Sequence, residues 1–170
     1  AETDSGQAWE LLSRYLYHDA VNKFIGDDPR SKLGLAAALL NEPPVTNWKI
    51  DRAKFLLNEV SRDAVDEDVS LYARYLITRI GHIHREASIA EVEAGYRDLI
   101  RTSPDSPVAQ FGASHLALLL LYQRPDLSVP ERLEAAALLL SVATNQQLPE
   151  IAVGYYRAMV DASLFYEIMD

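Results

Sequence analysis

The chain contains no cysteine, so neither a disulfide framework nor a thiolate metal site contributes to it. Glycine is scarce, at seven residues in 170, and alanine and leucine dominate the apolar set, which favours helix throughout. No long hydrophobic run is present. The longest apolar stretch, Leu116 to Tyr122, is far too short to cross a bilayer, so no transmembrane segment is expected. Basic charge is thin, with 16 Lys and Arg against 25 Asp and Glu and a formal net charge of −9. Neutralising phosphates needs a dense basic surface, so general nucleic-acid binding is excluded. A basic or neutral peptide partner suits this balance better, although an acidic balance also simply keeps a protein in solution. No segment alternates with a period of two over a useful length, so no sheet is expected. The chain opens on Ala1 rather than methionine, which fits removal of an upstream segment, by cleavage of a signal peptide or at a cloning boundary. Exported and cytoplasmic locations both fit that start.

Against these absences stands an apolar fraction of 49%, enough in a chain of this length for one ordinary globular domain over residues 1–170. Residues 1–6 read as a frayed leader. Three stretches repeat an apolar step of four and then three at intervals of about 40 residues. They are Ala53-Leu57-Val60, Val92-Tyr96-Leu99 and Leu133-Ala137-Leu140. Residues at i, i+4 and i+7 share one face of a helix, so recurrence at this period predicts a stacked helical-repeat array.

Breakers divide the chain into eight expected helices. The first runs from about Gln7 to Ile25 with Trp9, Leu12, Leu16 and Ala20 on one stripe, and the Asp28-Pro29 pair opens the second, to about Asn41. Glu42-Pro43-Pro44 stops it, and a third helix follows from about Trp48 to Asp63. The fourth, about Val69 to His84, shows a face of Tyr72, Leu76, Ile80 and Ile83. Ser88 and Glu91 form a capping box for the fifth, which ends near Ser103. The sixth, to about Gln123, is apolar almost all round and is expected between neighbours. Ser128 caps the seventh, and Pro149 opens the eighth. Short loops favour antiparallel neighbours, hence four helix hairpins.

The run from Val92 through Tyr96, Leu99 and Ile100 to Pro104 and Ala109 resembles the second helix of a tetratricopeptide repeat and the start of the next unit. Ile77, Ile80 and Gly81 resemble the large, large, small set on the preceding helix, where a small residue lets the paired helix approach. Leu33-Gly34 and Val153-Gly154 are candidates for the same device in the outer units. The likeness covers one unit, about Ser70 to Pro107. The period of 39 to 41 residues exceeds the usual 34, and His84 replaces an expected tyrosine, so a HEAT-like array is an alternative. Resemblance to the tetratricopeptide family implies a right-handed α-α superhelix whose concave face holds a peptide or partner protein.

Candidate functional residues follow from where polar groups interrupt apolar helices. Gln110 and Ser114, one turn apart, form a polar stripe on the sixth helix, with His115 beside them. Arg74 and Thr78, and Arg157 and Asp161, are similar i, i+4 pairs. These six residues are the expected partner-binding face, against the alternative of hydrogen-bonded core groups and an ordinary helix salt bridge. The lysine, arginine and asparagine set with which tetratricopeptide proteins grip a terminal carboxylate is missing. His82 and His84 lie about 200° apart on a helix and do not share a metal ion; a helix C-terminus suits them better. Asp63 to Asp68 lacks the glycine and glutamate of a calcium loop. Neither a phosphate loop nor a nucleophile elbow occurs. No cofactor or metal is expected. The sequence therefore points to a non-enzymatic scaffold or adaptor for a protein or peptide. Two alternatives are self-association through the eighth helix, with Met159, Ala162, Leu164, Phe165 and Ile168, and a small-ligand binder or enzyme around His115.

Overall fold

The computed structural model describes residues 4–144. Among them are eight helices and no strand: α1 (Asp4–Ser13), α2 (Tyr17–Lys23), α3 (Pro29–Asn41), α4 (Asn47–Asp63), α5 (Glu67–Ile83), α6 (Ile89–Thr102), α7 (Pro107–Tyr122) and α8 (Val129–Thr144). The all-α class follows directly. The helices group into two compact units, residues 1–84 with α1 to α5 and residues 85–170 with α6 to α8. The expected eighth helix, with the dimer candidate Met159 to Ile168 and the pair Arg157 and Asp161, lies outside the described residues.

Side-chain caps set most of the boundaries. Asp28 caps α3, Thr46 caps α4, Asp66 caps α5 and Ser106 caps α7, each accepting from backbone N–H groups that the first turn leaves unpaired. The Ser88–Glu91 box at α6 is present in both directions. Ser128 and Glu91's counterpart Glu131 form the same reciprocal bonds at α8.

The first expected helix is in fact two. Tyr15 adopts a left-handed φ of 62°, its N–H donates to Leu12 and the Leu16 N–H donates to Leu11. These 5→2 and 6→1 bonds make a Schellman stop that closes α1 without glycine. A left-handed residue with a side chain costs about 1 kcal/mol, and the two bonds to otherwise orphaned carbonyls offset it. Two apolar faces also differ from expectation. On α5 the buried stripe is Val69, Ala73 and Ile80, while Tyr72 and Ile83 are exposed. That helix carries more apolar residues than one face holds, so its period alone does not choose among overlapping stripes. On α8, among the residues whose side chains are described, Ala136 is buried, Ala137 is exposed and Leu133 half-buried, while Leu140 lies outside them. The stripes on α4 and α6 are as expected: Ala53, Leu57 and Val60, and Val92, Tyr96 and Leu99, are all buried.

In the first unit, α4 packs on both α3 and α5, and α3 also meets α5 and α1. Its core joins Leu33, Ala36 and Leu39 of α3 to Ile50, Leu56 and Leu57 of α4 and the buried stripe of α5. A smaller cluster of Ala8, Ala20, Phe24 and Ala38 ties α1 and α2 to α3. Gly34 makes the second cluster possible, because a Cβ there would lie 2.2 Å from Cε1 of Phe24. The space left by this glycine is therefore filled by an aromatic ring and not by the backbone of a paired helix. In the second unit, α7 packs on α6 and α8 and buries 11 of its 16 residues, which accounts for its nearly uniform apolar character.

Candidate functional site

A cleft of about 470 Å³ opens between α1, α3 and α5 of the first unit. Trp9 and Leu12 line it from α1, Arg30, Leu33 and Ala37 from α3, and Asp66, Asp68, Val69, Tyr72 and Leu76 from α5 and its cap. The intervening helix α4 contributes nothing to the lining. The volume is that of a site for a few side chains of a ligand.

The walls are fixed by packing one layer behind them. Gly34 admits the Phe24 ring onto α3, and the Phe24 ring meets the Trp9 indole edge to face, with centroids 5.3 Å apart. That contact holds the indole at the mouth of the cleft. The Trp9 Nε1–H is buried and has no acceptor among the described residues. With that nitrogen closed off from solvent, Trp9 lines the cleft through its other atoms. Across the cleft, Tyr72 packs edge to face on Tyr75 at 6.2 Å, and burial pushes its phenol above the ordinary 10.0.

Charge is confined to the rim. Asp28 receives the Ser31 hydroxyl at 2.7 Å and the Ser31 N–H at 3.2 Å, which fixes the first turn of α3 and so the place of Arg30. The Ser31 hydroxyl is the main reason the Asp28 carboxyl is held below its usual range, with Arg30 adding a smaller effect. On the other side, Asp66 Oδ1 accepts from the N–H groups of Asp68 at 2.9 Å and Val69 at 3.4 Å.

A second depression in the same unit, of about 450 Å³, is lined by Tyr15, Tyr17, His18, Glu42, Pro43 and Lys49, among others. Its polar centre is already used. Lys49 Nζ lies 2.7 Å from Glu42 Oε1 and donates to the Glu42 carbonyl at 2.9 Å, while His18 Nδ1 lies 3.1 Å from Glu42 Oε2. Lys49 first, and then His18, hold the Glu42 carboxyl below its ordinary value. These groups satisfy one another and brace α2 against the α3–α4 loop.

The sequence-derived candidates are placed differently. Gln110 and Ser114 are sealed in the second unit, at 1% and 2% exposure, and the Ser114 hydroxyl donates to the Gln110 carbonyl at 3.1 Å. The Gln110 side-chain oxygen is buried without a partner. His115 is half-buried and stacked on Tyr96, with centroids 5.8 Å apart. Arg74 and Thr78 are half-buried on α5, where the Thr78 hydroxyl donates to the Arg74 carbonyl at 3.0 Å; neither lines the cleft. The structure thus does not gather the four described candidates onto one open surface within either unit. In sequence Trp9 and Tyr72 read as members of apolar stripes and Asp68 as part of the acidic run from Asp63, and Arg30 carries no signal of its own. Among the described residues, no group of His, Cys, Asp or Glu is arranged to hold a metal ion, and no helix is long and apolar enough to cross a membrane. Comparison with known protein families, curated proteins and solved structures finds no match.

Proposed function

We propose that this chain is a non-enzymatic binding module, a helical-repeat scaffold that receives a segment of a partner protein in the cleft between α1, α3 and α5. The observation that carries this reading is the cleft itself, a largely apolar space lined by Trp9 from α1 and Tyr72 from α5. The tetratricopeptide resemblance supports it independently. In that phasing α3 and α5 are the first helices of successive units, the ones that face a ligand, and α4 is the second helix, packed behind. Among α3, α4 and α5 the lining follows the same division, and α1 adds Trp9 and Leu12. Because α3 and α5 are both packed on α4, the walls are organised before a ligand arrives, and the partner bears most of the ordering entropy.

Ala37 lies on the cleft wall and is only half-buried, so Ala37→Phe fills the cleft while keeping α3 helical. Affinity capture from an extract of the source organism, with the wild-type chain beside Ala37→Phe, tests the reading. A protein retained by the wild type and lost from the variant is the expected result. Equal retention by both baits, or retention by neither, overturns it.

A further inference from the structure

The cleft lining combines two chemistries. Trp9, Leu12, Leu33 and Leu76 make one part apolar, whereas Asp66 and Asp68 stand at the start of α5. Asp66, Glu67 and Asp68 form no ion pair among the described residues. These three carboxylates are opposed by Arg30 on the far wall and by the positive end of α5, worth roughly half a charge. The cleft lining itself holds two carboxylates, Asp66 and Asp68, against one cation, Arg30, so it stays slightly negative once the helix end is counted, in a chain whose formal net charge is −9.

We infer that the segment bound in the cleft carries an apolar side chain with a lysine or arginine one or two positions away, the apolar group entering between Trp9, Leu33 and Leu76 and the cation meeting Asp66 and Asp68. This rests on the cleft being the binding site. Apolar burial supplies most of the affinity, and the rim charges supply selectivity, since exposed ion pairs are individually weak. An acidic segment meets uncompensated carboxylates and is disfavoured.

The test is a selection of random twelve-residue peptides, displayed on phage, against the immobilised full chain, followed by anisotropy titration of the enriched peptides with a fluorescein label. Enriched peptides that no longer bind Ala37→Phe are expected to pair an aliphatic or aromatic residue with a nearby Lys or Arg. Their binding is expected to weaken by about two- to five-fold in Asp68→Asn, and to fall as salt rises. Circular dichroism checks that both variants stay folded. Cleft-dependent peptides with no basic bias, or with acidic residues beside the apolar one, overturn the charge inference and leave the cleft as the site. No cleft-dependent peptide at all overturns both.

Discussion

The first and second units deal with polar groups in opposite ways. In the second, Gln110 and Ser114 interrupt an apolar helix and are buried with it, the serine hydroxyl bonded to the main chain of its own helix. In the first, Trp9 and Tyr72 look like core residues and instead line open space. A polar residue on an apolar helix is thus a poor guide to a ligand surface when the helix is covered on most sides. The more telling sign is an apolar or aromatic residue whose neighbours fail to close over it. Helix α7 gives the limiting case of closure, and the pairing of α3 with α5 leaves a gap.

This contrast is most easily broken at Gln110. Gln110→Glu places a charge where the structure offers little solvent, and it is expected to cost about 3–5 kcal/mol or to prevent folding. Gln110→Leu, which removes the unpartnered oxygen, is expected to be neutral or stabilising. Urea unfolding of both variants decides the matter; a well-tolerated glutamate shows that this position faces water. Next in size is Gly34→Ala, whose Cβ must displace the Phe24 ring at an expected cost of about 1–3 kcal/mol. Because Phe24 supports Trp9, the same change is expected to alter the indole fluorescence, measured in a Trp48→Phe background so that Trp9 is the one tryptophan. An unchanged spectrum and melting temperature break the proposed line of support from Gly34 to the cleft.

Smaller effects sharpen the picture of the first unit. Tyr15 is 76% exposed and left-handed, so Tyr15→Gly is expected to raise stability by at most about 1 kcal/mol, read as a shift in the urea midpoint. A loss of that size indicates that the tyrosine ring, through its edge contact with Tyr17, matters more than the backbone. The Glu42 carboxyl has a folded pKa below its ordinary 4.5, so its contribution is fully present above that value. It is lost as pH falls through the depressed folded value. Lys49→Met removes the leading cause, and the variant's stability is expected to decline less steeply than the wild type's below pH 4.5. Parallel pH profiles of the two proteins contradict that assignment.

Much of the fold was legible because its signals are local. The capping box at Ser88, the Asp28-Pro29 start and the stripes on α4 and α6 each lie within a few residues, where helix geometry fixes the outcome. The stop at Tyr15 was not legible, since a left-handed residue without glycine leaves no mark in the sequence. Nor was the buried face of α5, where surplus apolar residues allowed several stripes. The cleft was hidden for a different reason. It joins residues from Trp9 to Leu76 across three helices, and its character depends on a gap, which no pattern of residue types encodes.

The cleft's role is tested most directly by the indole and amide resonances of the full chain during titration with the strongest-binding selected peptide. Trp48, at 68% exposure and away from the cleft, is the internal reference. The Trp9 indole resonance is expected to shift as the ligand packs beside the ring, together with the amides of Ala37 and Tyr72, while Trp48 stays still. Shifts that spare Trp9 and gather around Gln110 and Ser114, or around Glu42 and Lys49, contradict that role.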